Sequence, residues 1–300
     1  MKHHHLQETA LRYFLEVVRT GSISEASTRL NVASSAISRQ IAGLEEALGT
    51  PLFERRPRGM VASAAGEMLA AFAFRTALEA DRLVQDIDAL HGLRRGQVRV
   101  AASEGFAIEF LPQAIADFRE KYPGIVFQLL VSSPAEVTRR VREGETDIGL
   151  TFSRTTHGEI KVESRKPAPM MAVMRCGHPL ARFETLSVSQ MSEYPLALPD
   201  IGTTIRQLFD IVVGQQRLTL EPAVVSNYVE ALHNFSIMSD TISIAAEVTV
   251  RYRAARGELV MIPIRDRGMD ARHMEVQTLV GRTLPMVVRL FLEFLCARLE

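Results

Sequence analysis

Apolar residues in the first sixty positions recur at helical spacing, in short runs. Leu11, Phe14, Leu15 and Val18 share one helix face, and Gly21 stops that helix. Ser22-Ile23-Ser24-Glu25 then reads as a capping box, with Ser22 accepting an amide proton and Glu25 reaching back, so a second short helix is expected up to Leu30. A turn of three or four residues leads to NVASSAISRQIAGLEEALG at 31–49. Ile37, Ile41, Leu44 and Leu48 line one face of a third helix, which Gly49 ends. The opposite face carries Ser35, Ser38, Arg39 and Ala42, short side chains and a single arginine. A face meant only for water would usually be long and charged. A small face lets the helix backbone come close to another surface, and two helices joined by a tight turn form a helix-turn-helix pattern. The alternative is a helix packed on another protein surface through its small residues.

Ser63 is a good N-cap for a long helix running to about His91. Within it Leu69, Thr76, Leu83 and Leu90 recur every seven residues, with Ala73, Ala80 and Ile87 at the complementary positions. This is the a/d seam of a dimerisation helix; packing on its own domain is the competing reading. Gly92 and Gly96 mark a linker. From Gln97 the pattern changes to short apolar runs alternating with helical ones. VRVAA, IVFQLLV and DIGLTF read as strands, FAIEFLPQAIADFREKY and PAEVTRRVREG as helices. After about residue 165 the alternation restarts with PMMAVM, PLALP, a helix from Thr203, EPAVVS, a helix from Tyr228, TISIAA and ELVMIPI. MEVQTLV and a C-terminal helix close the chain. The C-terminal two-thirds is therefore an α/β region of two subdomains with mostly parallel sheets.

Composition narrows the functional classes. The chain has 300 residues, 47% hydrophobic and 23% charged, with zero formal net charge. These are the proportions of an ordinary folded protein of two or three compact units. Residues 1–58 hold eight basic and six acidic side chains, a balance of +2. Non-specific affinity for nucleic acid should be limited per protomer, and paired half-sites become useful. Cys176 and Cys296 match no metal or redox spacing and suggest a reducing cytosol. No apolar run of membrane-spanning length occurs, and MKHHHLQETALRYF lacks the apolar core of a signal peptide, so a cytoplasmic protein is expected. His3, His4 and His5 read as a tag remnant or tail rather than a metal site. His157, His178, His233 and His273 are scattered, and no nucleophile elbow, dinucleotide fingerprint or P-loop is present. Neither catalysis nor a cofactor is expected. A pure ligand carrier would suit the C-terminal region alone, but the N-terminal helices oppose it.

The motifs connect into one resemblance. GSISEASTRLNVASSAISRQIAGLEEALGTPLFERRPRGMVASAAGE, FLPQAIADFREKYPGI, REGETDIGLTF, GHPLA and GELVMIPI together resemble the LysR-type bacterial transcription regulators over nearly the whole chain. The resemblance implies an all-α winged helix-turn-helix domain at 1–62 and a linker helix at 63–92. An effector domain at 97–300 follows, made of two Rossmann-like subdomains as in periplasmic binding proteins. The first subdomain would span 97–165 and 266–300, the second 166–265. It further implies a dimer or tetramer on an interrupted palindrome of double-stranded DNA, with RNA polymerase as a conceivable further partner and no membrane.

Site residues follow from both readings. Arg39 can fork onto guanine in a major groove, with Ser35, Ser38 and Gln40 beside it. Ser22 and Ser34 suit phosphates near helix N-termini, and Arg55, Arg56 and Arg58 resemble the family's wing. In α/β units ligands gather beyond the carboxyl ends of strands. The family's small effector therefore carries over by position to Ser103, Ser132, Ser133, Thr203, Thr204 and Asn227. Phe106 and Phe152 could line the cleft, although an apolar aromatic here is more often core, and Glu104 at its mouth could select a cationic or amide-bearing ligand. Helix capping competes at Ser133-Pro134-Ala135-Glu136 and at Asn227-Tyr228-Val229-Glu230.

Overall fold

The computed structural model describes residues 9–56, 59–89, 95–153 and 158–299. The chain divides into two compact units, residues 1–92 with 282–286 and residues 93–281 with 287–300. The first unit begins with α1 (Thr9–Thr20), α2 (Ile23–Leu30) and α3 (Ser34–Leu48). A hairpin of β1 (Phe53–Arg56) and β2 (Gly59–Ala62) follows, then α4 (Ala64–Ala89). Phe14, Val17, Ala26, Ile37, Ile41 and Leu52 form one core; of the stripe expected on α1, Phe14 and Val18 join it, whereas Tyr13 and Val17 stand there in place of Leu11 and Leu15. Phe14 and Phe53 rings approach to 5.2 Å. Asn31 takes a left-handed φ of 54° at the end of α2 and so makes the tight turn, as Asn does more readily than most residues. The hairpin is held against that region: the Met60 amide donates to Gly21 O at 2.8 Å. Gly59 sits at φ +129°, and a Cβ there would stand 2.7 Å from the same oxygen.

Three local expectations are corrected in this unit. Leu48 is 52% exposed, because the last turn of α3 runs past the core and the chain then folds back, with Glu45 accepting the Leu52 amide at 2.7 Å. The capping box at Ser22 is half made. Ser22 Oγ accepts from Glu25 N at 3.4 Å, but the Glu25 carboxylate turns to Arg29 at 2.7 Å. In α4, Leu69 packs against the core of its own unit and Ala73 is 2% exposed, so the first half of the expected seam is internal. Met68 and Phe72 are the exposed apolar residues there, at 76% and 51%. Thr76 donates back to Phe72 O, and Thr76 and Ala80 are half-buried. Leu83 and Ile87 present apolar surface, at 52% and 48%; Leu90 lies outside the described residues.

The second unit holds two five-stranded sheets. Its elements run β3 (Gly96–Ala102), α5 (Glu104–Ala107), α6 (Phe110–Lys121), β4 (Ile125–Val131), α7 (Pro134–Arg142), β5 (Ile148–Ser153), β6 (Ile160–Pro167) and β7 (Met170–Met174). They continue with α8 (Val188–Met191), β8 (Leu196–Pro199), α9 (Thr204–Gln215), β9 (Val224–Ser226), α10 (Val229–Met238) and β10 (Ile242–Ala246). Then come α11 (Glu247–Ala255), β11 (Val260–Pro263), β12 (His273–Leu279) and α12 (Met286–Arg298). The first sheet has the order β4-β3-β5-β12-β6, the second β11-β7-β10-β8-β9. In each, four strands run in one direction and a single strand, β12 in the first and β7 in the second, runs antiparallel to both its neighbours. The chain crosses from the first sheet to the second after β6 and returns before β12, so the two crossovers lie side by side, joined by the Ala168 amide on Arg272 O at 2.9 Å.

The spacing predicts one helix over 106–122; the structure breaks it into α5 and α6 at Ile108-Glu109. β6 and α11 have no counterpart among the elements predicted from the sequence. The REGETDIGLTF motif has a structural role: Asp147, fully buried, accepts from the Arg99 amide and guanidinium, both at 2.8 Å. In GHPLA, buried His178 accepts the Leu180 amide at 3.1 Å and starts a 3-10 turn.

Candidate functional site

The exposed face of α3 is built by the same period that buries the other. Ile37 and Ile41 hold the helix to the core, and Ser34, Ser35, Ser38, Arg39, Gln40 and Ala42 are turned out to solvent. Ala33 is the N-cap and offers no side-chain acceptor, so the first amides of α3 are open to an outside partner. Ser34 Oγ donates to Ser27 Oγ at 3.0 Å, which ties the start of α3 to α2. Arg39 makes no hydrogen bond or ion pair among the described residues, so its fork is available. Arg55 and Arg56 occupy β1 opposite Met60 and Gly59. Arg58 lies outside the described residues.

The expected effector residues fall at the carboxyl ends of the strands of both sheets. Ser103 follows β3, is 5% exposed, and its hydroxyl bonds Thr151 Oγ1 at 3.1 Å. The Ser132 amide donates to Ala102 O at 3.0 Å and places that residue beside it. Ser133 caps α7, accepting from Glu136 N at 3.4 Å. Thr203 caps α9, accepting from Arg206 N at 3.3 Å while donating to Asp200 O. Thr204 is the first residue of that helix.

Two expectations change here. Phe106 is 1% exposed and Phe152 is 7% exposed; their rings stack at 4.5 Å, so both belong to the interior rather than to an open cleft wall. The capping box at Asn227 does not form. Tyr228 is the N-cap of α10 and supplies no side-chain acceptor. The acceptor comes from the other subdomain: Glu104 Oε1 takes the Val229 amide at 2.9 Å, and the Glu230 amide also bonds this carboxylate. Glu104 therefore joins α5 to the amide end of α10. Burial pushes its pKa up, the two amide bonds pull it down, and the nearby Glu230 charge pushes it up again. Burial likewise raises the Glu230 pKa, and Arg253, 2.7 Å from Glu230, opposes this. Since its oxygen is already engaged, Glu104 is a helix cap before it is a cation selector.

Behind this contact, α11 leans on α5 and α6. Arg251 lies 5.4 Å above the Phe110 ring, and Arg256 pairs with Glu109. A groove of about 320 Å3 between α6 and α11 is lined by Glu109, Pro112, Gln113, Tyr252 and Arg256 and includes none of the expected effector residues. Sequence reasoning passed over Arg272, which is 5% exposed and sits 4.1 Å from the Phe152 ring centroid. Among the described residues no group of three or more His, Cys, Asp or Glu could hold a metal, and no helix is long and apolar enough to cross a membrane.

Residues 9–67 match the family model of the bacterial regulatory helix-turn-helix protein, lysR family, and residues 91–300 match the LysR substrate binding domain. The RuBisCO operon transcriptional regulator of Acidithiobacillus ferrooxidans is 24% identical over 96% of this chain and 92% of its own length. The probable HTH-type transcriptional regulator LrrA of Synechococcus elongatus is 31% identical over 66% of this chain and 68% of its own. Among solved structures, a full-length OxyR cysteine variant from Pseudomonas aeruginosa aligns with a TM-score of 0.67 at 17% identity, covering 96% of this chain and 93% of that one. Full-length CbnR in complex with its target DNA aligns over the whole of both chains, with a TM-score of 0.53 at 20% identity. A helix-turn-helix unit and a two-subdomain α/β unit, each matched in order by its own family model, make this chain a member of the LysR family of bacterial transcription regulators.

Proposed function

We propose that the protein binds an interrupted palindromic operator in double-stranded DNA as a dimer or tetramer, and that a small molecule between the subdomains of its second unit modulates this binding. The exposed, short-side-chained face of α3 carries the reading. It lets the helix lie in a major groove about 12 Å wide, where Arg39 forks onto a guanine edge and Ser35, Ser38 and Gln40 reach neighbouring bases or phosphates. Ser22, Ser34 and the open amides at the start of α3 take phosphates, and Arg55, Arg56 and Arg58 of the wing add backbone contacts. Domain limits at 62, 92 and 97 follow from the same division of labour. Leu83 and Ile87 on α4 supply apolar surface for the partner helix. The effector contacts are Ser103, Ser132, Thr203 and Thr204 at the strand ends, with Glu104 and Asn227 beside α10. The ligand acts through its differential affinity for two arrangements of the subdomains. Such a regulator works in the cytoplasm, where contact with RNA polymerase is open to it.

The test is a titration of the operator by fluorescence anisotropy. Arg39→Ala should weaken specific binding by about 1–3 kcal/mol and relax discrimination at the contacted base pair. Equal binding of variant and parent would remove the base contact from the proposal.

A further inference from the structure

Most of the polar groups expected to receive a ligand at the strand ends already have a partner inside the chain. Ser103 is bonded to Thr151, Ser133 and Thr203 cap their own helices, and the amide end of α10 is filled by Glu104. Arg272, which was not among them, is differently placed. It stands in the second crossover, one residue before β12. It is 5% exposed, its Nε is buried without a hydrogen-bond partner, and no carboxylate contacts its guanidinium among the described residues. The guanidinium carbon lies 4.1 Å from the Phe152 ring centroid. Phe106 stacks on that ring at 4.5 Å, so the arginine takes the opposite face.

The position is at the meeting of the two subdomains. Met274, two residues on, is the register partner of Phe152, so Arg272 leaves the same sheet face just beyond the carboxyl end of β5. A Cβ on Gly105 of α5 would stand 3.4 Å from Phe152 and 2.5 Å from Thr249 Oγ1 of α11. Arginines this buried ordinarily face a carboxylate, since an uncompensated charge taken out of water costs folding free energy. Burial pushes the Arg272 pKa down to about 10, which still leaves it charged at neutral pH.

We propose that Arg272 is the anion receptor of the effector site, taking one carboxylate group of the ligand on its fork while Phe152 backs the guanidinium. This deepens the function proposed above and rests on it. A guanidinium offers parallel N–H donors that match the two oxygens of a carboxylate. A buried phosphate dianion would call for a second cation, and none is seated on this ring beside Arg272 among the described residues. The effector class is therefore a monocarboxylate, or a larger acid that buries one carboxylate.

The experiment is thermal denaturation of the full chain with sodium acetate, succinate or phenylacetate, each against sodium chloride at equal ionic strength. At least one should raise Tm, by about 5–10 °C at roughly a hundredfold excess over Kd. Arg272→Met should abolish that rise and, with no carboxylate added, melt no lower than the parent, because it removes an unpaired buried charge. Arg272→Lys keeps the charge but loses the fork, and should need at least about tenfold more carboxylate for the same rise. The proposal is overturned if no probe moves the parent, if either variant responds as the parent does, or if Arg272→Met melts lower without a probe. Operator binding on the same samples separates the two readings. Binding that persists without a carboxylate response sinks Arg272 alone, whereas a parent that binds no operator sinks the regulator.

Discussion

Replacing Glu104 tests whether one carboxylate holds the two subdomains of the second unit together. Its oxygen accepts the first amides of α10, and Tyr228, the N-cap, provides no substitute. Glu104→Ala leaves those amides to water, as in the loss of an N-cap, which costs about 1 kcal/mol within a range of about 0.5–2. A charge at a helix N-terminus adds about 0.3–1 kcal/mol. Against both stand burial of the charge and repulsion from Glu230, which raise the Glu104 pKa above its ordinary value. A carboxyl whose folded pKa is raised favours its neutral form in the fold. Its contribution is complete below the unfolded value of 4.5 and fades as pH rises through the folded one. Glu104→Gln keeps an acceptor oxygen and removes the charge. At pH 7 the glutamine variant should therefore equal or exceed the parent, while the alanine variant loses about 1 kcal/mol, or about 2–4 °C in Tm for a unit of this size. Urea denaturation at pH 7 and pH 5 measures all three, and the parent should gain on the glutamine variant as pH falls. Alanine as stable as glutamine would refute the cap, and glutamine as damaging as alanine would refute the sign assigned to the charge.

Three more outcomes are expected. His233 is buried and its pKa is pushed down to about 4, by burial first and by the Arg253 charge second. Its contribution is whole above the unfolded value of 6.5 and is lost as pH falls from there through 4. Acid should thus destabilise the parent across that window more steeply than a His233→Gln variant, as read by denaturant melts at stepped pH. Leu83→Glu on α4 should raise the dimer dissociation constant at least tenfold, since burying a leucine is worth about 1.5–3 kcal/mol. Monomer stability should stay constant in that variant, and sedimentation equilibrium that finds an undisturbed dimer would move the seam elsewhere on the helix. The double variant Met68→Gln/Phe72→Gln asks the same of the other exposed apolar pair, with dissociation rather than loss of helix as the expected reading by sedimentation and circular dichroism.

How far these features are legible in the sequence depends on how local their causes are. The face of α3 can be read because one period both buries Ile37 and exposes Arg39. The capping roles of Ser133 and Thr203 are legible for the same reason, each bond spanning three residues. β6 escapes because its sequence, IKVESRKP, belongs to an edge strand and turns polar after Val162. α11, EVTVRYRAA, hides its helix behind β-branched residues that favour strands. In the first half of α4 the exposed apolar residues are Met68 and Phe72 rather than Leu69 and Ala73, since a heptad does not reveal which apolar stripe its own domain will claim. The Glu104 cap spans 125 residues, and nothing near Val229 announces it. Arg272 sits in RDRGMDARH, a run that looks like a solvated loop, and only the crossover buries it.

The sheet order β4-β3-β5-β12-β6 has a consequence for the birth of the protein on the ribosome. β5 and β6 are made early but never touch as neighbours; the strand between them is the last one in the chain. More than a hundred residues separate the end of β6 from that of β12, a delay on the order of 10 s at ordinary rates of synthesis. Through that interval the half-built sheet has an open seam, while α1, α2, α3 and the hairpin, whose shared core lies within residues 13–70, can already be folded. A nascent or prematurely ended chain would therefore present a finished operator-reading head on an unfinished sensor. Completion of translation itself becomes the step that couples the two.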